Sequence, residues 1–168
     1  MSLITACKNN DLEKVKHLLL TGRDIDLQDE YGDTALIWAC HKDNKDIVQL
    51  LLNYKPNLDL QDEDGDTALI FACYRNNKDI VQLLLNHNPN LDLQDSAGNT
   101  ALVIAQATDR KNIIELLENH IPLPFSLKNS LLKFVKSHNI DTAHLPKLLL
   151  VPGDPSTNRK RSLLIFQN

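Results

Sequence analysis

The sequence predicts an all-α solenoid, in which short helical units stack along one axis, followed by a short helical C-terminal extension. First, residues 29–61 and 62–94 align without a gap over 33 residues and differ at only seven positions. A fixed period of this length is typical of a repeat architecture. Second, Cys7, Cys40 and Cys73 recur at the same 33-residue interval, so the pattern begins before residue 29. Third, each period contains two apolar runs at helical spacing, and a unit this small must stack to bury them.

The unit that begins at Asp29 shows its element signals in order. Its first residues have turn chemistry, with Gly32 free to adopt a positive φ. Thr34 is then expected to cap a first helix of small and large apolar residues. An Asn-Lys-Asp sequence interrupts the pattern before a second helix, which should end ahead of Pro56. We therefore expect two antiparallel helices and a projecting loop in each unit.

Four units are expected, and the first is incomplete. It lacks the turn, and it carries Thr5 and His17 where the second unit has Trp38 and Leu50. An end unit has a neighbour on one side only, so a more polar outer face is what a cap requires. The predicted boundaries are residues 1–28, 29–61, 62–94 and 95–122.

Residues 123–168 repeat nothing and are interpreted as a C-terminal helical cap or extension and a tail. Apolar residues over 126–137 have helical spacing and would cover the exposed end of the fourth unit. The alternative is a recruiting motif, because Ser126-Leu127, Leu131 and Val135, followed by Leu145-Pro146, resemble the start of a SOCS box, which joins proteins to ubiquitin ligases. Further on, residues 159–161 (Arg-Lys-Arg) are a targeting signal, a phosphorylation context or simply a solvated basic run.

The repeat itself resembles the ankyrin repeat family over residues 1–122. The resemblance rests on the phrases Asp29-Glu-Tyr-Gly-Asp-Thr-Ala-Leu-Ile, Ile47-Val-Gln-Leu-Leu-Leu and Lys55-Pro-Asn-Leu-Asp. The family's Pro and His of the first phrase are replaced by Ala and Ile. The family's Gly after the second helix is kept at Gly22 but is replaced by Lys55 and Asn88. Because that Gly supplies a left-handed C-cap, we expect Lys55 to cost about 1 kcal/mol there.

Composition and motifs favour an interaction protein over an enzyme. The net charge is −4, so no general basic field attracts nucleic acid or an anionic membrane. The first residues lack the pattern of a secretory signal, and no apolar run is long enough for a membrane span. No phosphate-binding loop, paired catalytic carboxylates or metal-ligand spacing is present. We therefore expect no catalytic residues, no cofactor, no metal and no small-molecule substrate.

The three cysteines are expected to be small buried residues rather than ligands or disulfide partners. Equivalent helices in a stack lie about 8–10 Å apart, whereas a disulfide needs Cα atoms within about 7 Å. Buried free cysteines are typical of a reducing compartment. The expected location is the cytosol or the nucleus.

The resemblance also implies where a partner would bind. In ankyrin proteins the loop tip and the first helix line a concave face, and several of the seven differences between the twin units fall there. Tyr and Arg, which are typical of interface hot spots, are prominent among them. Trp38 and Phe71 have two open interpretations, packing between first helices or contact with a partner. The predicted partner-binding residues are Glu30, Tyr31, Asp33, Trp38, His41, Lys42, Glu63, Asp64, Asp66, Phe71, Tyr74 and Arg75.

The sequence therefore predicts a non-enzymatic protein–protein interaction module that acts as a monomer and binds an unidentified protein through this face. Two alternatives remain: a substrate adaptor of a ubiquitin ligase, and a host-directed effector or decoy that mimics a cellular ankyrin inhibitor. The near-identity of the twin units is compatible with recent expansion of the array, as in the second alternative.

Overall fold

The computed structural model describes residues 2–120, Leu149–Leu150 and Leu164–Ile165. The chain divides into two compact units, Met1–Leu117 and Glu118–Asn168. The helices are α1 (Leu3–Lys8), α2 (Leu12–Leu20), α3 (Ala35–His41), α4 (Lys45–Leu52), α5 (Ala68–Tyr74), α6 (Lys78–Leu85), α7 (Ala101–Ala107) and α8 (Lys111–His120). The strands are β1 (Leu149–Leu150) and β2 (Leu164–Ile165), which pair antiparallel.

The first helix of each unit begins at a hydroxyl N-cap. The side chain of Thr34 accepts a hydrogen bond from the backbone amide of Ile37 at 3.1 Å, and Thr67 and Thr100 do the same in the next two units. These bonds satisfy one of the amide groups that a helix start leaves without a partner. The predicted capping role of Thr34 is confirmed.

A single residue with positive φ separates the two helices of each unit. These residues are Asn10, Asp43, Asn76 and Asp109, with φ between 51° and 59°. The left-handed conformation reverses the chain in very few residues, and Asn and Asp tolerate it better than most residues. In the middle units the next residue, Asn44 or Asn77, then caps the second helix. The expected break between the helices therefore lies at these positions.

The core is a continuous apolar layer that runs through all four helix pairs of residues 2–120. Cys7, Cys40 and Cys73 are fully buried in it and are free thiols, as the sequence predicted. The first helices pack more closely on one another than the second helices do.

Neighbouring units are also joined by hydrogen bonds outside the helices. The side-chain amide of Gln28 donates to the carbonyl of Gly32 at 2.7 Å and to the carbonyl of Gln61, one period later, at 2.9 Å. Gln61 makes the equivalent bonds to Gly65 and Gln94. Each glutamine therefore fastens its own loop to the start of the next one.

The interpretation of the first unit as a cap stays a prediction. Thr5 and His17, the polar replacements on its outer side, are both exposed. No helix among residues 2–120 is long and apolar enough to cross a membrane. In the extension, the β1–β2 pair is an addition to the expected helices. The predicted 126–137 helix, the SOCS-box resemblance over 126–150 except for residues 149–150, and residues 159–161 lie outside the described residues.

Candidate functional site

The predicted partner-binding residues lie on the loop tips and first helices of the second and third units, which we call the front face. It comprises the exposed parts of residues 29–33, 62–66, α3, α5 and the two residues that end these helices, Lys42 and Arg75. Exposed members are Glu30, Tyr31, Lys42, Glu63, Asp64, Tyr74 and Arg75. Partly buried members are Asp33, Trp38, His41, Asp66 and Phe71.

Three aromatic side chains connect the two units across this face. The ring of His41 lies edge-on to Trp38, with 5.3 Å between centroids, and edge-on to Phe71, with 5.6 Å. Such T-shaped pairs are favourable beyond the apolar area that they bury. Trp38 and Phe71 are each partly exposed, so packing and contact with solvent occur together at both. The packing that the sequence left open is therefore present at both residues, and their contact with a partner stays a prediction.

Cationic groups surround the aromatic rings. The ammonium of Lys8 lies 4.4 Å from the centre of the Trp38 ring and that of Lys42 lies 5.7 Å from it, both within range of a cation–π interaction. Arg75 Nη2 lies 2.8 Å from His41 Nε2. None of the described residues forms an ion pair with Lys42 or Arg75. No carboxylate among the described residues therefore neutralises these two charges.

The contact with Arg75 fixes the protonation state of His41. A guanidinium can only donate, so His41 Nε2 must accept and the ring proton must sit on Nδ1. Burial, assisted by the positive charges of Arg75 and Lys42, lowers the pKa of His41. The ring is neutral, and its Nδ1 is buried without a hydrogen-bond partner among residues 2–120.

Asp29 holds the second unit's loop tip in place. Its Oδ1 accepts hydrogen bonds from the amides of Tyr31 and Asp33, and its Oδ2 meets the ammonium of Lys8 at 2.9 Å and the indole NH of Trp38 at 3.2 Å. Burial opposes ionisation, but these donors outweigh it and lower the pKa of Asp29.

The carboxyl groups of Asp33 and Asp66, behind the loop tips, are harder to ionise than free carboxyl groups. Burial, together with the negative charges of neighbouring aspartates, raises the pKa of Asp33 and that of Asp66 to about 6. Lys8 opposes the rise at Asp33, whereas the main causes at Asp66 are burial and neighbouring aspartates, all of which raise its pKa. One carboxyl oxygen of Asp66, Oδ1, is buried and has no hydrogen-bond partner among residues 2–120.

Two residues that the sequence analysis did not select, Lys8 and Asp29, prove central to the arrangement. Lys8 lies one period before His41 and two periods before Tyr74, so the alignment itself carried the signal. The predicted partner-binding positions were those of the complete units, and the equivalent position of the truncated first unit was not among them. Asp29 was interpreted as a turn residue only, although it also binds the cation.

Of the seven differences between the twin units, those at 31/64, 38/71, 41/74 and 42/75 lie on the front face. Asp43 instead accepts a hydrogen bond from Asn77 at 2.6 Å at the break between helices. The remaining two, 54/87 and 55/88, follow the second helices. Within residues 2–120 no group of three or more His, Cys, Asp or Glu is arranged to hold a metal ion.

A stack of helix pairs with loop tips fastened unit to unit, and an exposed aromatic and charged face on one side, defines a helical repeat protein built for surface contact. The family model for ankyrin repeats (3 copies) matches residues 3–95 and 55–124. The chain belongs to the ankyrin repeat family. No curated protein matches the chain. Ankyrin repeats generally mediate protein–protein interactions, and proteins built from them are generally non-catalytic.

Proposed function

We propose that the chain is a non-enzymatic interaction module that binds a partner protein through the front face. The observation that carries the proposal is the connected set of side chains Trp38, His41, Phe71 and Arg75. It spans two units and is built largely from positions at which otherwise near-identical units differ. Unselected surface positions favour small polar residues, whereas this set is aromatic and basic.

The chemistry of the front face suits a polypeptide. Trp38, Tyr31 and Tyr74 offer rigid apolar area with few rotatable bonds, which binds at low entropic cost. Lys42 and Arg75 offer charges that no described residue neutralises, while Glu30 and Glu63 present the opposite sign at the tips. A partner of mixed charge with an apolar anchor fits this combination.

The face is also prepared for binding before the partner arrives. Each tip is held by its own aspartate and joined to the next, because the amide of Glu63 donates to the carbonyl of Tyr31 at 2.9 Å. Side chains that are already ordered lose less entropy on association. We therefore expect recognition with little change of shape.

The fourth unit limits the size of the interface. It carries Ser96, Ala97 and Asn99 on its tip and Ala107 and Thr108 at the end of its first helix, all small or uncharged. With units spaced about 10 Å apart, the charged and aromatic part covers only the second and third units. This extent suits a short segment or one edge of a folded partner.

The test compares two variants of the intact chain. The front-face variant combines Tyr31→Ala, Lys42→Ala, Tyr74→Ala and Arg75→Ala, four exposed side chains whose loss should leave the fold intact. Proteins captured by the wild-type chain are identified, and the affinity of each is measured by calorimetry for the wild type and the variant. Loss of hot-spot residues should weaken a true partner at least about a hundredfold.

The matched control removes two positive charges from second helices instead. Lys78→Ala and Lys111→Ala, made together, lie at equivalent first positions of α6 and α8 and should leave affinity within about twofold. A partner that binds the front-face variant as tightly as the wild type would contradict the proposal, provided that both proteins melt at the same temperature.

A further inference from the structure

The structure contains three equivalent pairs of side chains behind the loop tips, and the groups that bind them differ from pair to pair. The pairs are Asp29 with Asp33, Asp62 with Asp66, and Asp95 with Asn99. In every pair the first residue accepts the amides of its own loop. In two of the three pairs the first residue also binds a side-chain donor, whereas among the described residues the first residue of the middle pair binds none.

A lysine from the preceding unit forms an ion pair with the first member of the first pair. The ammonium of Lys8 lies 2.9 Å from Asp29 Oδ2 and 4.4 Å from the centre of the Trp38 ring. A carboxylate on one side and an aromatic face on the other are two groups that favour an ammonium. Lys8 thus shows that, in this chain, an ammonium group can lie between a loop aspartate and the aromatic ring of a first helix.

The third pair needs no cation. Its second member is an amide, and Asn99 Nδ2 lies 3.2 and 3.1 Å from the two oxygens of Asp95. Asp95 Oδ2 also faces the hydroxyl of Tyr74 at 3.4 Å. Replacing a carboxylate by an amide removes one charge and supplies a donor, so this pair is satisfied internally.

The middle pair has neither the lysine of the first pair nor the amide of the third. The position equivalent to Lys8 is His41, whose ring is neutral and turned to Arg75. Within the described residues, Asp62 receives backbone amides but neither a side-chain hydrogen bond nor an ion pair. Asp66 Oδ1 is buried without a partner, and Phe71 takes the place of Trp38 beside the pair.

We propose that the partner inserts a lysine side chain at the middle pair, so that its ammonium contacts Asp62 and Asp66 beside Phe71 as Lys8 contacts Asp29 beside Trp38. This inference rests on the proposed function, since it names one group that the partner contributes. The lysine would offset one of the two negative charges of this pair, which receives no side-chain donor from the described residues.

The probe is the peptide acetyl-Gly-Lys-Gly-amide, titrated into the intact chain at neutral pH, with the side-chain carboxyl carbons of the aspartates followed by NMR. The expected result is a saturable shift of the Asp62 and Asp66 signals. The uncharged peptide acetyl-Gly-norleucine-Gly-amide, which has the same shape but no ammonium, should produce no such shift. Equal responses to the two peptides would overturn the inference.

Two substitutions sharpen the test. Asp66→Asn, which copies Asn99, should weaken binding of the lysine peptide by about threefold or more. Asp46→Asn removes the same charge from an exposed second-helix position and should leave the peptide's affinity unchanged. If both substitutions reduce binding equally, the peptide is responding to net charge and the inference is wrong.

His41→Lys tests the same place from inside the chain. It restores the residue type that Lys8 presents one period earlier, so the new ammonium should occupy the middle pair and block the lysine peptide. A variant that still binds the peptide with wild-type affinity would contradict the assignment.

The outcomes separate this inference from the proposed function. The front-face variant retains Asp62, Asp66 and Phe71, so it should still bind the lysine peptide even though it loses the partner. Peptide binding without any loss of the partner in that variant would count against the proposed function alone. Loss of the partner in that variant without peptide binding by the wild type would count against the lysine site alone.

Discussion

The side-chain amide of Asn99 lies 3.2 and 3.1 Å from the two carboxylate oxygens of Asp95. One period earlier the same two positions are Asp62 and Asp66, so a hydrogen-bonded pair in the fourth unit is a repulsive pair in the third. The contrast can be measured with one substitution, because the two pairs differ only in having a carboxylate at Asp66 and an amide at Asn99.

Asp66→Asn should therefore stabilise the chain at neutral pH. The pKa of Asp66 is raised to about 6 in the folded chain, against about 4 when unfolded. The folded state thus holds the proton more tightly, so the destabilisation is absent below about pH 4 and complete above about pH 6. Discounted for partial exposure, we expect a gain of about 1 kcal/mol near pH 7.5 and a much smaller one near pH 4.5.

Urea denaturation at the two pH values measures this difference. Asn99→Asp is the reciprocal control and should destabilise the chain, more so at the higher pH. A gain from Asp66→Asn of equal size at both pH values would show that charge repulsion is not its cause.

The left-handed residue after the second helix gives a second prediction. Lys55 has a φ of +55°, at the position where the first unit has Gly22 with a φ of +69°. A lysine side chain clashes with its own backbone in this region, whereas glycine does not. Lys55→Gly should stabilise the chain by about 1 kcal/mol in urea denaturation, less the greater entropy that glycine gives the unfolded chain.

Asn88 supplies the matched control for this prediction. It has the same φ of +55°, but asparagine tolerates the conformation better than lysine does. Asn88→Gly should therefore change the free energy of unfolding by only a few tenths of a kcal/mol. Equal gains at the two positions would argue against backbone strain at Lys55.

The glycines of the loop tips separate backbone strain from close contact. Gly32 and Gly98 have nearly the same φ, +81° and +82°, but a methyl group on Gly32 would lie 2.9 Å from the Cα of Asp62, whereas one on Gly98 would meet nothing within 4 Å. Gly98→Ala should cost about 1 kcal/mol from backbone conformation alone. Gly32→Ala should cost at least about 1 kcal/mol more, because the next tip must move.

Thermal and urea denaturation of the two alanine variants measure that difference. If Gly32→Ala and Gly98→Ala cost the same, the stacked tips have more freedom to separate than their hydrogen bonds suggest.

The cysteines offer a probe of global stability. Burial raises the pKa of Cys7 and that of Cys73 to about 12, and the thiolate is the form that reacts. Labelling by a soluble thiol reagent at neutral pH should therefore proceed only through unfolding, with the same rate at Cys7, Cys40 and Cys73. Mass spectrometry of partly labelled chains tests this. Faster labelling of Cys7 alone would mean that the first unit opens by itself.

Most of the fold was predictable because two successive units have nearly the same sequence, which shows which positions are structurally required. Positions that stayed identical in residues 29–61 and 62–94 include the caps and turn glycines, and Thr34 and Gly32 behave as their residue types require. Local chemistry of this kind is readable from one sequence, since capping and positive φ depend on near neighbours.

The electrostatics of the front face were less predictable. The sequence placed Asp33 and Asp66 on the surface but could not show that Lys8 binds Asp29, whereas no described side chain binds Asp62. Such differences depend on contacts between neighbouring units, which residue spacing alone does not reveal. His41 likewise looked like a freely exposed contact residue, whereas it is clamped between two aromatic rings and bonded to Arg75.

The glutamine links, finally, make the array extendable. Gln61 needs only a carbonyl in its own loop and another one period later, and residues 62–94 carry both of these acceptors. A further copy of residues 62–94 inserted after Gln94 would therefore offer Gln94 the same two acceptors that Gln61 has. The number of units in this protein could therefore be increased by duplication, which would enlarge the recognition surface without altering any existing junction.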